Sequence, residues 1–282
     1  MDLTARDMTK MALCVAFCCV TAYISFPLPF TPGLVTALTL ALGVTAFVLT
    51  PKQTFMALLV YVLLGCIGLP VFVGGTAGFG KLFGPTGGYI IAWLAVYPII
   101  SALKGATPNF KRYALVDIVV GIPLTYVGGL ISMMLVMDVS LGAALVMAVL
   151  PYIPGDIIKC LMAAFLGVNA LGTILTVLVK GTLAGLLSGL VYKALENKNR
   201  TLAVAVAAVV CPVVNTGVFL IGCLLFFMET IGGWADAMGF GANVGQYMIV
   251  GLVGANFIFE LLFNVVLSPV VVRLIRIGKK EV

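Results

Sequence analysis

Long stretches without a charged side chain set the strongest limit on what this chain can fold into. They run over residues 11–51, 53–80, 118–137, 201–228 and 237–259. Each of them can supply the roughly 20 apolar residues that a membrane helix needs. Only 9% of all residues are charged, whereas a soluble domain has about a quarter. The sequence therefore predicts an all-α, polytopic membrane helix bundle.

Glycine and proline residues divide the apolar sequence into predicted membrane spans. The spans cover residues 8–26, 34–50, 54–71, 88–104, 113–137, 142–168, 172–194, 201–227 and 243–273. The segment at residues 74–88 is rich in glycine and does not suit a helix that faces lipid. Irregular backbone persists at a membrane only where protein or water surrounds it. We therefore expect residues 74–88 to form a lid, and we call them the lid segment.

Basic residues mark the cytoplasmic loops of membrane proteins. Arg6 and Lys10 place the N-terminus in the cytoplasm, and span counting then puts the lid segment on the outer side. The loop at residues 193–200 is also basic, yet span counting delivers it to the outer side. Three explanations stay open: a re-entrant segment at 166–180, a loop that departs from the rule, or a joint between two unrelated topologies.

Asp156 and Lys159 are the candidate ligand-binding charges of this chain. Residues three apart on a helix share a face, and ionisable groups at membrane depth usually meet a partner, a cavity or a ligand. Pro154 and Gly155 place Asp156 in the first turn of a helix, near free amide groups and the positive end of the dipole. That position suits Asp156 itself or a ligand carboxylate neutralised by Lys159, and Tyr152 is a nearby candidate donor. A purely structural ion pair is the alternative.

Other chemistries lack support in the sequence. The chain has no histidine and no Gly-x-Ser-x-Gly motif, and its seven cysteines show no metal or redox spacing. Residues 75–81 have the glycine and lysine spacing of a phosphate loop, but Leu82 stands where a serine or threonine is required. The +6 net charge comes from short loops and is no signal for nucleic acid. We therefore expect no enzyme activity, metal, cofactor or nucleic-acid partner.

Two motifs resemble those of a known family. Residues 68–89 read GLPVFVGGTAGFGKLFGPTGGY, and residues 151–159 read PYIPGDIIK. Together they resemble the BioY family, the biotin-specific S components of energy-coupling factor (ECF) transporters, over residues 8–168. One position departs from the family pattern, because Leu38 stands where glutamine is expected. The resemblance implies that residues 1–168 form a six-helix membrane unit that binds biotin near the outer surface.

The resemblance also implies roles for individual residues in substrate binding. It implies that Asp156 and Lys159 line the pocket and hold the polar ends of biotin. It further implies that Gly75, Thr76 and Tyr89 belong to the lid or to the pocket wall. Biotin is then the transported ligand rather than a cofactor.

A small-residue face on the first span is the predicted partner surface. Ala12 and Ala16 are four residues apart, and small residues at this spacing let membrane helices approach closely. This face resembles the patch that S components present to the T component. The implied partners are therefore a transmembrane T component and two ATPase subunits, in addition to the lipid bilayer.

Residues 169–282 do not follow the BioY pattern. Their segments at 180–192, 215–219 and 256–260 resemble the last three helices of a different S component, of unassigned substrate. Such a half normally begins outside and ends inside the cell, which would account for its basic loops. Half of a bundle leaves its inner face unburied, so we expect this three-helix segment to pack on the first unit or on another chain.

The leading functional prediction is an S subunit for ATP-driven biotin uptake in the cell membrane, with the N-terminus in the cytoplasm. The lid segment would close over biotin arriving from outside. An S component for another small vitamin is the first alternative. A stand-alone secondary carrier, coupled to protons through Asp156 or Glu260, is the second. A membrane-embedded enzyme is the third, although no nucleophile or metal site can be assigned to it.

Overall fold

The computed structural model describes residues 3–28, 31 and 33–278, and the side chains of 271 and 274–278 lie outside the description. The chain divides into two compact units, and the division falls between Val168 and Asn169. Both units consist mainly of α-helices. The all-α class predicted from the charge-free stretches is therefore confirmed.

The first unit consists of short helices, a β-hairpin, a 3-10 turn and a π-helical turn. Its helices are α1 (Ala5–Thr21), α2 (Leu38–Val48), α3 (Pro51–Cys66), α4 (Gly87–Leu103), α5 (Phe110–Val116), α6 (Ile122–Met137), α7 (Leu141–Ala148) and α8 (Ile153–Val168). An antiparallel hairpin of β1 (Ser25–Pro27) and β2 (Leu34–Thr36) separates α1 from α2. A 3-10 turn, Phe79–Phe83, precedes α4, and a π-helical turn, Asp117–Gly121, joins α5 to α6.

Capping residues decide where two of these helices begin. Thr4 and Asp7 form a reciprocal capping box at the start of α1. Thr50 and Gln53 form a second one at the start of α3, where Pro51 occupies the first turn. Each box satisfies backbone amide groups that have no partner within the helix, and proline lacks the amide hydrogen in any case. These local signals separate α3 from α2 without a loop.

Among the described residues, four helical segments are long and apolar enough to cross a membrane. They are Phe110–Met137, Ala170–Leu195, Arg200–Phe226 and Val244–Val270. The pair α7 and α8 would add a fifth span if its members, which are bent by 52°, are counted together. Helices α2, α3 and α4 are apolar but shorter. The multi-pass membrane class is confirmed, whereas helix length alone does not reproduce the nine predicted spans.

The predicted span at residues 142–168 consists of two helices, α7 and α8, with a bend of 52° between them. Val149 leaves the helical region with φ −124°. Pro151 follows closely, has no amide hydrogen to donate, and disfavours a helical conformation in the residue before it. As a result α8 starts anew at Ile153 and Asp156 lies in its first turn, as the sequence predicts.

Helix α2 forms the centre of the first unit. It packs against α1, α4 and α8. Its buried residues are Leu38, Ala41, Leu42, Gly43, Thr45, Ala46 and Phe47. A side chain at Gly43 would lie 2.9 Å from both the Ala163 Cβ and the Asp117 Oδ2, so glycine is what lets the neighbouring helices approach here. Because α2 is covered by protein, its shortness leaves no backbone facing lipid unpaired.

Three long apolar helices form the second unit. Its helices are α9 (Ala170–Leu195), α10 (Arg200–Phe226), α11 (Met228–Ala237), α12 (Val244–Gln246) and α13 (Ala255–Gly278), with a π-helical turn, Tyr247–Gly254, before α13. Helix α10 packs against both α9 and α13. The predicted spans at 172–194, 201–227 and 243–273 coincide with these segments.

Polar side chains pair with each other inside the second unit. Asn215 and Asn256 donate to the two carboxylate oxygens of Glu260, at 3.5 Å and 3.2 Å respectively. The ammonium nitrogen of Lys180 lies 5.4 Å from the centre of the Phe219 ring, which is a cation–π distance. These contacts lower the cost of polar groups in apolar helices, and the Asn215–Glu260 hydrogen bond joins α10 to α13.

Helices α4 and α6 touch through glycine. A Cβ on Gly128 would lie 2.6 Å from both the Ala92 Cβ and the Gly88 carbonyl oxygen. A Cβ on Gly88 would lie 1.9 Å from the Gly128 carbonyl oxygen. Backbone stands against backbone here, so a flexible side chain cannot move aside to relieve an added methyl group. The crossing therefore requires glycine at both positions.

We expect Gly128→Ala to destabilise the first unit by about 1–3 kcal/mol, because overpacking at this crossing pushes α4 away from α6. Unfolding of the purified protein in detergent measures the loss. Gly142→Ala is the matched control, since a Cβ at Gly142 meets nothing within 4 Å. Equal stability of the two variants would contradict the close α4–α6 contact.

Candidate ligand-binding chamber

A cavity of about 120 Å³ lies within the first unit, and we call it the chamber. Its walls come from β2, α2, the lid segment, α4, α6, α7 and α8. The lining surface is mainly apolar, with Ile90, Met133 and Met147 among its contributors. Four of the predicted substrate-binding residues line it: Tyr89, Tyr152, Asp156 and Lys159. An apolar wall with a few polar groups is the usual composition of a small-molecule site.

Asp156 and Lys159 form an ion pair at the chamber wall. The Lys159 Nζ contacts the Asp156 Oδ1, and the two side chains are 15% and 13% exposed. Lys159 also donates to the Thr36 carbonyl oxygen at 3.1 Å. The Tyr126 hydroxyl donates to the Asp156 Oδ2 at 2.5 Å. The pair is thus tied to β2 on one side and to α6 on the other, and each charge has a partner besides the other charge.

Two tyrosines that the sequence predicts for the site also line the chamber. The Tyr89 hydroxyl donates to the Ala148 carbonyl oxygen at 2.6 Å, which ties α4 to α7. A Cβ on Gly129 would lie 2.0 Å from the Tyr89 ring, so the ring packs directly on α6. The Tyr152 hydroxyl donates to the Thr31 Oγ1 at 2.8 Å. Both rings therefore have fixed positions in the chamber wall.

Hydrogen bonds from glycine fasten the lid segment to the helix ends below it. Gly74 and Gly78 have φ values of 73° and 101°, which side-chain-bearing residues rarely adopt. The Gly74 amide donates to the Ala22 carbonyl oxygen at 3.0 Å, and the Gly78 amide donates to the Gly65 carbonyl oxygen at 2.8 Å. As its glycines predict, the segment contains no α-helix before Gly87.

Gly75 and Thr76 lie in the lid segment but not among the residues that line the chamber. The Thr76 hydroxyl donates to the Val73 carbonyl oxygen at 3.0 Å. A Cβ on Gly75 would lie 3.0 Å from the Tyr23 ring. The two residues thus shape the lid from within, while Val73 lines the chamber. Their place in the lid agrees with the resemblance, and direct contact with a ligand stays a prediction.

Three chamber residues that sequence reasoning missed carry buried polar atoms without a partner. Among the described residues, the Thr39 Oγ1, the Trp93 Nε1 and the Thr125 Oγ1 make no hydrogen bond. Leaving such a group unpaired costs about 1–3 kcal/mol. Their helices, α2, α4 and α6, meet at the chamber. Nothing in the sequence marks them, because tryptophan and threonine are ordinary residues in apolar spans.

A smaller cavity of about 20 Å³ adjoins the chamber and is lined by Asp117. It shares Thr39, Thr125, Tyr126, Asp156 and Lys159 with the chamber lining. Asp117 is 3% exposed and opens the π-helical turn. The cavity has a few polar side chains in a mainly apolar wall and room for about one water molecule. Asp117 lies within the predicted span at residues 113–137, and the structure places it close to the ion pair.

Two further sequence features fall outside the chamber. Leu38, which departs from the family pattern, is fully buried in the core and does not line the chamber. Ala12 and Ala16 are exposed on α1, on the same face of the helix. The departure at Leu38 therefore concerns core packing, and the small-residue face is exposed on the first unit.

These features together define a class of protein. A helical membrane unit that encloses a mainly apolar chamber, with paired charges beside it and a glycine-rich lid, is a solute-binding membrane protein. Comparison with known proteins then identifies the family. A sequence model of the BioY family matches residues 1–176, and the chain belongs to that family. The match extends eight residues beyond the boundary at residue 168 that the motifs predict.

Individual relatives agree with this assignment. A biotin transporter of Lactococcus lactis subsp. cremoris is 36% identical over 161 residues, which cover 57% of this chain and 87% of the relative. A probable biotin transporter of Bacillus subtilis is 35% identical over 170 residues, covering 58% and 89%. A crystal structure of the S component for biotin from an ECF-type ABC transporter has a TM-score of 0.55 and 26% identity, covering 58% and 90%.

The comparisons confirm several sequence predictions. The resemblance to the BioY family is confirmed, and so is the class of multi-pass membrane transport protein. The chain is a transport protein and not an enzyme, because its relatives are transporters. Residues 177–282 lie beyond the matched region.

We expect Tyr126→Phe to destabilise the first unit by about 1.5–3 kcal/mol, because it removes a hydrogen bond to the Asp156 carboxylate. Tyr152→Phe is the control, since it removes a bond to the neutral Thr31 hydroxyl and should cost only about 0.5–1.5 kcal/mol. Unfolding of both variants in detergent near neutral pH compares them. A Tyr126→Phe variant that is no less stable than the control would show that Asp156 does not depend on this hydroxyl.

Proposed function

We propose that this chain is the substrate-binding S subunit of an ATP-driven ECF transporter and that it takes up biotin across the cell membrane. One observation carries the proposal: a BioY family unit encloses a chamber in which Asp156 and Lys159 stand paired beside apolar walls. The relatives named above support it, because they are described as biotin transporters and as the S component for biotin.

The chemistry of the chamber suits biotin. Biotin has a compact bicyclic ring, an aliphatic chain, an uncharged urea group and a carboxylate. The apolar side chains of Ile90, Met133 and Met147 complement the ring and the chain. The unpaired polar atoms of Trp93 and Thr125 can exchange hydrogen bonds with an uncharged polar group. A ligand of this kind would remove the cost of leaving those atoms unsatisfied.

The proposed binding residues keep the roles that the resemblance implies. Tyr89, Tyr152, Asp156 and Lys159 contact biotin within the chamber, while Gly75 and Thr76 shape the lid above it. Closure of the lid segment over the ligand excludes water, and the interactions of Asp156 and Lys159 strengthen as the local dielectric constant falls. Opening of the lid segment on the outer side admits the ligand.

The proposed partners are a transmembrane T component and two ATPase subunits, which drive release into the cell. The exposed face formed by Ala12 and Ala16 supports contact with another membrane helix, because small residues allow close approach. Arg6 and Lys10 flank this face on the N-terminal side and favour a cytoplasmic N-terminus. We further propose that residues 169–282 form a separate three-helix segment that resembles half of another S component.

The binding proposal predicts that wild-type protein in detergent binds biotin in calorimetry and that Lys159→Ala lowers the affinity roughly 10- to 150-fold. That range corresponds to the loss of a hydrogen bond to a charged group. The variant should still insert into the membrane, since Lys159 lies at a chamber and not in the core. Lys52→Ala, at an exposed lysine, is the control and should bind as the wild type does. Undiminished binding by Lys159→Ala would refute the site.

The partner proposal predicts that the double variant Ala12→Leu, Ala16→Leu assembles poorly with the T component but still binds biotin. Two bulky side chains prevent the close helix approach that small residues permit. Co-purification with a tagged T component measures assembly. Ala143→Leu, at an exposed alanine of α7, controls for added surface bulk. Full assembly of the double variant would remove α1 from the interface.

A further inference from the structure

The charges that line the chamber do not balance. They are Lys81, Asp156 and Lys159, which leaves one positive charge after the two within α8 have paired. A mainly apolar chamber of this charge complements a ligand with a single negative charge, because an unpaired ion in a low-dielectric site is costly. Lys81 and Lys159 are the two lining lysines that could pair with this negative charge.

The existing contacts single out Lys81. Lys159 contacts Asp156 and donates to the Thr36 carbonyl oxygen. Asp156 in turn accepts from the Tyr126 hydroxyl, so both members of the pair already have polar partners within the protein. In the part of the chain that the structure describes, no acceptor is recorded for the Lys81 ammonium group. Lys81 is therefore the cation of the chamber lining that is left to pair with a negatively charged group of a ligand.

The backbone around Lys81 fixes where this charge stands. Lys81 lies in the 3-10 turn Phe79–Phe83, within the lid segment. Its amide donates to the Gly78 carbonyl oxygen at 3.1 Å, and its carbonyl oxygen accepts from the Gly84 amide at 3.3 Å. The side chain is partly buried and lines the chamber from the lid, whereas the ion pair lines it from α8.

We propose that Lys81 binds the carboxylate of the ligand, and that the uncharged polar end of the ligand faces the ion pair on α8. The inference rests on the function proposed above and adds the orientation of the ligand to it. It also reassigns a role, because the sequence pattern gave neutralisation of a ligand carboxylate to Lys159. With this arrangement the ligand carboxylate joins the lid segment to the helices, so an anionic ligand holds the lid closed.

A comparison of two ligands on two proteins tests the assignment. Biotinamide replaces the carboxylate of biotin with a neutral amide of similar size. Wild-type protein should prefer biotin over biotinamide by roughly 10- to 150-fold, the range expected for one charge-assisted contact. In Lys81→Met this preference should be lost. The affinity for biotin should fall because its carboxylate loses its partner, and the affinity for biotinamide should rise because no unpaired lysine is enclosed with it.

Two further variants serve as controls for this comparison. Lys81→Arg keeps the positive charge and should keep most of the preference for biotin. Lys52→Met removes an exposed lysine elsewhere and should change neither affinity. If Lys81→Met keeps the full preference for biotin, the assignment of Lys81 is overturned while biotin binding itself stands. If wild-type protein binds neither ligand, the proposed function fails, and the assignment fails with it.

A measurement on the wild type covers the case in which Lys81→Met does not fold. Hydrogen exchange or limited proteolysis reports the protection of residues 74–88. Biotin should protect the lid segment more strongly than biotinamide does, each at a saturating concentration. Equal protection by the two ligands would overturn the proposal, because a carboxylate that binds elsewhere cannot hold the lid through Lys81.

Discussion

The ion pair of Asp156 and Lys159 is the interaction on which the chamber depends. Charges within a membrane protein persist only when they are paired and hydrogen-bonded, because removal of one partner leaves an uncompensated charge. Here the Tyr126 hydroxyl and the Thr36 carbonyl oxygen complete the coordination of the pair. These four groups come from α6, α8 and the strand before α2. The pair therefore sets the spacing of the elements that enclose the chamber.

The position of the pair follows from a break in the helical backbone. Pro151 interrupts the apolar stretch, so α8 begins at Ile153 and presents a fresh N-terminal turn at Asp156. The free amide groups and the dipole of that turn favour the negative carboxylate. A continuous helix over residues 142–168 would place Asp156 in mid-helix, without those amide groups. The break between α7 and α8 and the first-turn position of Asp156 thus have one cause, which is Pro151.

Local signals could be read from the sequence, while contacts between distant segments could not. The shared face of Asp156 and Lys159 follows from their spacing, and the irregular lid follows from its glycines, since both depend on neighbouring residues only. Tyr126 lies 30 positions before Asp156, and its hydrogen bond exists only after α6 and α8 have packed. Trp93 and Thr125 can likewise be recognised as candidate binding residues only because they line the same cavity. Their neighbours in the sequence give no such signal.

The unpaired positive charge of Lys81 would let the chamber discriminate against uncharged ligands. An uncharged solute of the same shape would leave Lys81 unpaired under a closed lid, and that desolvated charge would count against its binding. An anion of matching size avoids this cost and gains the contact as well. Selectivity of this kind comes from a penalty on the wrong ligand as much as from attraction to the right one. The apolar walls then favour an anion that carries a ring and an aliphatic chain, because burying that apolar surface is favourable and a small hydrated ion has none to bury.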